Sequence, residues 1–385
     1  MAHPFDRPTV DELRARGGLK WSLHPEAIGS FVAEADFGTA PVVAQALHEG
    51  VDADRLGYLA PALQTRMAEA FAGFAQDRYG WSVPAERVRP LADVVAGLQA
   101  AIEHFSEPGT PVLLPTPAYM PFLVVPRALG RALVEVPMAH DAERSVYDLD
   151  ALDAAFEHGG LLVLCNPHNP IGRVLEREEL LAIAEVVERH GGRVFADEIH
   201  APLVYGDRRH VPYASVSPAA AAHSITAVSA SKAWNLPGLK CAQLVLTNEA
   251  DAARWEQVGF MAEHGASTLG VVAAVAAYED GRAWLDGLVG YLDGNRRALA
   301  DLLSDELPEV GYTPPEGTYL GWLDLRATGL GDLPATYLLE HAGVALTEGR
   351  LCGRAGAGFA RATLATPRPV LEETVHRIAA AVRGR

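Results

Sequence analysis

The sequence predicts an α/β protein in which a mainly parallel, seven-stranded sheet lies between helices, with a smaller α+β domain beside it. Between residues 88 and 246, short apolar segments alternate with amphipathic helical patterns, as expected for strands covered on both faces. In such sheets ligands bind outside the carboxyl ends of the strands, so the residues that follow each strand are candidates for function. The predicted strands are residues 88–91, 111–114, 132–136, 160–165, 193–196, 225–229 and 241–246.

The length of 385 residues and the change of pattern along the chain predict more than one domain. Residues 1–50 are rich in proline, glycine and polar side chains, and we expect an N-terminal arm that is part of the small domain. Residues 51–280 are predicted to form the large domain. After a long helical stretch that begins near Ser267, residues 281–385 are predicted to form the small C-terminal α+β domain.

Charge and cysteine content narrow the classes of partner. The net charge of −17, from 49 acidic and 32 basic residues, disfavours nucleic acid and membranes, which attract basic surfaces. Cys165, Cys241 and Cys352 lack the spacing of a metal-binding motif, so we expect no metal site and free thiols in a reducing, cytoplasmic compartment. We also expect no signal peptide, because the N-terminal residues contain no apolar segment preceded by positive charge. No spanning helix is expected, because no apolar run reaches the ~18 residues required.

Lys232 follows a predicted strand in the segment Ser229-Ala-Ser-Lys232, and a Pro237-Gly238 turn closes the loop before the next strand. A lysine among small residues at a strand end suits a Schiff base with a carbonyl cofactor. A solvated surface charge is the alternative interpretation. The choice depends on whether other strand ends supply a cofactor site.

Four further positions at strand ends are candidates. Asn169 lies between two prolines, either in a rigid loop or as a neutral hydrogen-bond donor. Asp197 would cap a helix, bind a metal or hold a pyridine nitrogen protonated. Tyr119 is a core residue or a ring that stacks on a flat cofactor. Ala96-Gly97 lie where a helix begins, and free backbone N–H groups there would bind phosphate, although no glycine-rich phosphate motif accompanies them.

Three motifs closely resemble those of the fold-type I, pyridoxal-phosphate-dependent aminotransferase class I/II superfamily: NPHNPIG (166–172), DEIH (197–200) and SASK (229–232). The histidines in the first two motifs point to its cystathionine β-lyase branch, the C–S lyases of the MalY/PatB type. The likeness covers nearly the whole chain, with further matching segments at residues 20–21, 119–122, 315–322 and 358–361.

The resemblance implies pyridoxal 5′-phosphate as the cofactor, bound in the large domain. Lys232 would form the Schiff base and then act as acid and base on the substrate. Asp197 would pair with the pyridine nitrogen, and Asn169 would hydrogen-bond the ring hydroxyl. His200 stands near that hydroxyl, where many members of the superfamily carry a tyrosine. Tyr119 would stack on the ring.

The resemblance also implies a phosphate site and a substrate site. Tyr58 resembles a tyrosine that reaches the phosphate and the substrate from the neighbouring subunit, which implies a homodimer with shared active sites. Arg361 matches the arginine that binds the substrate α-carboxylate through two parallel hydrogen bonds, with a surface salt bridge as the alternative. The phosphate ligands implied are Ala96, Gly97, Ser229, Ser231 and Lys240.

The expected reaction is β-elimination from an S-substituted cysteine such as cystathionine, which gives a thiol, pyruvate and ammonia. An aminotransferase that uses the same residues is the alternative, and a regulatory binder that retains the fold is a third class. The chain departs from the branch pattern at residues 33–37, at Trp234 and after Val344. All three departures lie near the expected substrate pocket. They therefore leave the identity of the substrate undecided, but not that of the cofactor.

Overall fold

The computed structural model describes residues 3–141 and 144–384. Its strands are β1 Ile28–Gly29, β2 Val88–Leu91, β3 Val112–Thr116, β4 Leu133–Pro137, β5 Ala139–Asp141, β6 Arg144–Val146, β7 Leu161–Cys165, β8 Arg193–Asp197, β9 Ser224–Val228, β10 Ala242–Leu246, β11 Gly311–Tyr312, β12 Leu320–Asp324, β13 Val344–Ala345, β14 Thr347–Glu348 and β15 Phe359–Thr363.

The helices lie between these strands and at both ends of the chain. They are α1 Val10–Ala15, α2 Leu19–Ser22, α3 Pro41–Asp52, α4 Pro61–Tyr79, α5 Val94–His104, α6 Met120–Ala128, α7 Leu149–Ala155, α8 Arg177–Arg189, α9 Pro218–His223, α10 Glu249–Val258, α11 Phe260–Glu263, α12 Thr268–Asp280, α13 Arg282–Glu306, α14 Pro334–Ala342 and α15 Arg368–Arg383. Across the described ranges no helix is long and apolar enough to cross a membrane.

The large sheet has seven strands in the order β2-β10-β9-β8-β7-β3-β4. The pairs β3–β4, β3–β7, β7–β8 and β8–β9 are parallel, whereas β10 is antiparallel to both β2 and β9. Strands β7, β9 and β10 are buried along their whole length, as expected when helices cover both faces. The predicted fold class is confirmed.

One break in the helical stretch after Ser267 has a clear steric cause. Helices α12 and α13 meet at Gly281, where an added Cβ would lie 2.5 Å from Nε1 of Trp234. The same indole nitrogen donates a 3.0 Å hydrogen bond to the Gly281 carbonyl. The close approach of Trp234 therefore requires glycine at this position and anchors the loop that carries Lys232.

A second sheet, in the order β11-β12-β15-β14, packs with α13, α14 and α15 around a separate apolar core. The N-terminal arm joins this region, because β1 pairs in parallel with β13. The backbone N–H groups of Ile28 and Ser30 donate to the carbonyls of Gly343 and Ala345. This pairing agrees with an arm that belongs to the small domain, while the boundaries at residues 50 and 280 stay predictions.

The arm is also fixed by a buried ion pair. Nζ of Lys20 lies 2.8 Å from Oδ2 of Asp36, and both side chains are almost fully buried. The indole N–H of Trp21 donates to the other oxygen of Asp36 at 2.8 Å. Because each oxygen of the Asp36 carboxylate accepts a hydrogen bond, the backbone of residues 31–36 is held in one conformation.

Lys20→Met should destabilise the protein by about 3–5 kcal/mol, because it leaves the Asp36 carboxylate buried without its cation. Urea unfolding followed by far-ultraviolet circular dichroism measures the change. The matched control is Arg66→Met, which breaks the exposed pair between Arg66 and Glu279 and should cost about 1 kcal/mol or less. Equal losses in the two variants would contradict a structural role for the buried pair.

Candidate active site

A cavity of about 500 Å³ opens at the carboxyl ends of β7, β8 and β9. Three parts of the chain form its wall: loops that follow the strands of the large sheet, residues 31–33 of the N-terminal arm, and residues of α14, β14 and β15. The predicted site residues that line it are Tyr119, Asn169, Asp197, His200, Ser229, Ser231, Lys232, Lys240 and Arg361.

Lys232 reaches into this cavity and is held by a backbone oxygen. Its Nζ donates a 2.9 Å hydrogen bond to the carbonyl of Ala33, which also accepts the hydroxyl of Tyr319 at 2.8 Å. Burial lowers the pKa of Lys232 to about 8, and the positive charge of Arg361 adds to this effect. The amine is therefore neutral at a much lower pH than an exposed lysine, as a nucleophile or general base requires.

Asp197 lies at the end of β8 with its carboxylate facing the same cavity. Burial raises its pKa to about 7, against hydrogen bonds that favour the charged form. The N–H of Ile199 donates to Oδ1 at 3.1 Å, and the thiol of Cys165 lies 3.6 Å from Oδ2. A ligand cation beside this carboxylate would restore the charged form.

His200 is fully buried beside the cavity, and neither ring nitrogen has a hydrogen-bond partner among the described residues. Burial, with the positive charges of Lys232 and Arg361, holds its pKa well below the usual range. The imidazole is therefore neutral. Because a buried polar group without a partner costs about 1–3 kcal/mol, the arrangement fits a site that a polar ligand completes.

Arg361, on β15, is buried in the cavity wall. It donates to Oδ1 of Asn169 at 3.1 Å, to Oγ1 of Thr347 at 3.1 Å and to the Phe31 carbonyl at 3.0 Å. Within residues 3–141 and 144–384 no carboxylate forms an ion pair with it, which excludes the surface salt bridge considered from sequence. A buried guanidinium held only by neutral acceptors suits an anionic ligand.

The predicted phosphate residues Ser229, Ser231 and Lys240 lie together at one end of the cavity. The Ser229 hydroxyl accepts from the N–H of Ser231 at 3.1 Å and donates to the backbone carbonyl of Cys241. Nζ of Lys240 lies 2.9 Å from Oδ2 of Asp93, which also caps helix α5. Two hydroxyls, an ammonium and a helix N-terminus are groups that can bind an anion.

Ala96 and Gly97 do not line the cavity, so the predicted start of the phosphate site requires a correction. The N–H of Ala96 donates to the side chain of Asp93, and that of Gly97 to its carbonyl. An added Cβ on Gly97 would lie 3.2–3.3 Å from side-chain atoms on the large sheet, so this glycine serves helix packing. Residues 92–95 line the cavity instead.

Tyr58 lies outside this cavity. Its side chain is 93% exposed, and it borders a different surface cleft with Phe260 and His264. The exposed apolar side chains of Leu56 and Phe260 line the same cleft. Exposed apolar surface of this kind is typical of protein–protein contact, so the position is compatible with a role in a neighbouring subunit.

Several residues of the cavity wall escaped the sequence analysis. The Ala33 and Phe31 carbonyls contribute backbone atoms, for which side-chain type gives no signal. Thr347 and Glu348 come from the short strand β14, which had no recognisable pattern. The helix-capping pattern of Asp93, an acidic residue immediately before a helix, could have been found.

Comparison with known proteins places the chain in a family. The family model for aminotransferase class I and II matches residues 28–378. A cystathionine beta-lyase of Corynebacterium glutamicum is 40% identical, with 97% of this chain and 98% of that protein covered. The cystathionine beta-lyase PatB of Bacillus subtilis (strain 168) is 33% identical, with 94% and 96% covered. A PLP-bound C–S lyase from Staphylococcus hominis has a TM-score of 0.92 and 30% identity, with 98% of each chain covered.

The fold, with a lysine and a carboxylate at neighbouring strand ends of a mainly parallel sheet, is that of the fold-type I enzymes. The chain belongs to the aminotransferase class I and II family. Within that family it is similar over nearly its whole length to the cystathionine β-lyases, so the resemblance drawn from the motifs is confirmed.

In the protein freed of any bound cofactor, acylation of Lys232 should rise with pH around a midpoint near 8, because only the neutral amine reacts. Mass spectrometry of the peptide that contains Lys232 measures the labelling rate. Arg361→Met removes a nearby positive charge and should move the midpoint upward. A midpoint above pH 10 in both proteins would contradict a tuned amine.

Proposed function

We propose that this protein is a pyridoxal 5′-phosphate-dependent C–S β-lyase that cleaves cystathionine or other cysteine S-conjugates. The observation that carries the proposal is the cavity in which Lys232, Asp197, His200 and Arg361 converge, in a chain whose whole-length relatives are cystathionine β-lyases. With water, the reaction yields a thiol, pyruvate and ammonia.

The cavity fits this cofactor in four respects. Ser229, Ser231, Lys240 and the start of α5 would hold the phosphate. Asp197 would lie opposite the pyridine nitrogen, whose positive charge would keep the carboxylate ionised despite its burial. His200 and Asn169 would lie beside the ring hydroxyl, which would give the unpartnered imidazole a hydrogen bond. Tyr119, in the wall, would stack on the ring.

Bound pyridoxal 5′-phosphate supplies a carbonyl that binds the substrate amine and a protonated ring that withdraws electrons from the substrate Cα. Lys232, once free of the cofactor, takes the Cα proton on Nζ, and its lowered pKa suits that task near neutral pH. Arg361 binds the substrate α-carboxylate and so fixes the face from which the proton leaves. Loss of the Cα proton expels the thiolate from Cβ.

We further propose that the protein is a cytoplasmic homodimer whose two active sites are shared between subunits. Its three cysteines are free and buried, which is compatible with a reducing compartment. Exposed apolar residues around Tyr58 support burial against a second copy, in which Tyr58 would reach the cofactor phosphate and the substrate. An amino acid is the substrate, and neither nucleic acid nor membrane is a partner.

The purified protein with pyridoxal 5′-phosphate should release thiol and pyruvate in equal amounts from cystathionine without any added keto acid. Lys232→Ala should lose this activity and also the covalent attachment of cofactor to the chain after borohydride reduction, read by mass spectrometry. Product formation that depends wholly on a keto acid would replace the lyase with an aminotransferase, because the two reactions use the same cofactor residues.

Mixed dimers test the shared site. Tyr58→Phe should lower activity about tenfold or more, since it removes a hydrogen bond to a charged group. When it is refolded with Lys232→Ala, about one quarter of wild-type activity should return, because half of the dimers are hybrids with one intact site of two. Arg361→Lys mixed with Lys232→Ala is the control and should restore nothing, because both residues lie in one cavity of one chain. Absence of restoration with Tyr58→Phe would place Tyr58 outside the partner's site.

A further inference from the structure

The C-terminal part of the cavity wall combines apolar side chains with two threonines, Thr336 and Thr347, and two charged side chains. Ala335 and Leu339 of α14, with Leu346 and Leu351, present hydrocarbon to the cavity. The charged members are Arg361 and Glu348. This wall adjoins the arginine proposed to hold the α-carboxylate, so it is where the rest of an amino-acid side chain would lie.

Glu348 is held in place by the helix that starts beside it. Its Oε2 accepts the N–H of Thr336 at 3.1 Å and the hydroxyl of the same residue at 3.3 Å. Pairing of β14 with β15 sets Glu348 opposite Ala360, while the preceding residue, Thr347, hydrogen-bonds Arg361. The carboxylate therefore lies next to the proposed substrate site with a fixed backbone and one fixed oxygen.

The other oxygen, Oε1, is buried and accepts no hydrogen bond from the part of the chain that the structure describes. A buried carboxylate oxygen without a hydrogen-bond donor costs free energy, and this cost is larger for charged groups than for neutral ones. The terminal torsion of a glutamate is soft, so the whole carboxylate can rotate by a small angle that brings Oε1 toward a ligand donor and leaves Oε2 near Thr336. A donor on a bound ligand would remove this cost.

The charges of the wall favour a cationic donor. Of the cations that line the cavity, Lys232 is needed for proton transfer, Lys240 pairs with Asp93 at the proposed phosphate site, and Arg361 is needed for the α-carboxylate. No cation of the lining is left for a second anionic group. Glu348 is the carboxylate that remains without a charged partner, since Asp197 would face the pyridine nitrogen.

We propose that Glu348 selects cysteine thioethers whose sulfur substituent carries an ammonium group, and disfavours those whose substituent carries only a carboxylate. The inference rests on the proposed C–S lyase function and adds the charge of the leaving thiol. In cystathionine the distal ammonium would bind Glu348. The hydrocarbon between sulfur and ammonium would lie against Leu339, Leu346 and Leu351.

The test compares three substrates that differ in the end group on sulfur: S-(2-aminoethyl)cysteine, S-propylcysteine and S-(2-carboxyethyl)cysteine. For each, kcat and KM are measured separately from thiol and pyruvate release. The wild type should prefer the aminoethyl substrate over the propyl substrate by about tenfold in kcat/KM, since the ammonium donates a charge-assisted hydrogen bond that the propyl group cannot make. The preference should lie mainly in KM, because the group is remote from the reacting bonds.

Glu348→Gln should reduce the aminoethyl-to-propyl ratio of kcat/KM about tenfold and raise the relative rate with the carboxyethyl substrate. Glutamine keeps an oxygen that can accept the N–H of Thr336, so we expect a melting temperature close to that of the wild type. A melting temperature in that range shows that the change in ratio comes from the lost charge and not from unfolding. Glu340→Gln removes the same charge from the exposed side of α14 and should keep the wild-type ratio.

An equal ratio in the wild type and Glu348→Gln, with thiol and pyruvate still formed, would overturn the role of Glu348 and leave the lyase function standing. If the aminoethyl-to-propyl ratio fell equally in Glu340→Gln, the role of Glu348 would also be overturned, because the loss of any negative charge in this region would then explain the effect. Failure of all three thioethers to yield thiol and pyruvate would overturn the proposed function, and this inference with it.

Discussion

The arrangement of the site depends on the backbone carbonyl of Ala33. This single oxygen accepts hydrogen bonds from both the amine of Lys232 and the hydroxyl of Tyr319. It therefore joins the N-terminal arm, the large sheet and the region of the second sheet at one point. The carbonyl is held there by Asn235, whose side-chain amide forms hydrogen bonds with both the N–H and the carbonyl of Ala35. Lys232 is therefore positioned by a segment nearly two hundred residues earlier in the chain.

Burial at this point sets the electrostatics of the whole cavity. The same low-polarity surroundings lower the pKa values of Lys232 and His200 and raise that of Asp197. Without a ligand, each of these groups is pushed toward its neutral form. A ligand that places a cation beside Asp197 and an anion beside Arg361 would offset the free-energy cost of burying these two charges. The cofactor and the substrate would therefore supply the opposite charges that the cavity lacks.

The sequence predicted the positions of the seven large-sheet strands along the chain and the residues at their ends, because both follow from local patterns. To predict that a strand ends at Asp197, or that Lys232 follows a strand, one needs to recognise only a short apolar segment and the residue at which it ends. The likeness of three motifs to a known superfamily then supplied roles that local patterns left open. For this reason most of the predicted residues line a single cavity.

The rest of the site depends on information that is not local. The Ala33 carbonyl carries no side-chain signal, and its position follows from packing against Asn235 and Tyr319. The small residues at positions 96–97 predict free N–H groups for one part of the phosphate site, whereas Gly97 packs closely against the large sheet. Glu348 becomes a cavity residue only through the pairing of β14 with β15. Tertiary contact, rather than propensity, decides each of these.

The pairing of the N-terminal arm with the last part of the chain has a consequence for synthesis on the ribosome. The hydroxyl and backbone of Ser30 bond to Thr363, which lies 333 residues later. The arm is synthesised before its partners, so it stays unpaired while the strands of the large sheet are being made. Contacts of such separation form slowly and only after a large loop is closed. A growing chain therefore carries Lys232 on the strands of the large sheet before the arm can enclose it, and the enclosed amine appears only after the segment that contains Thr363 has been made.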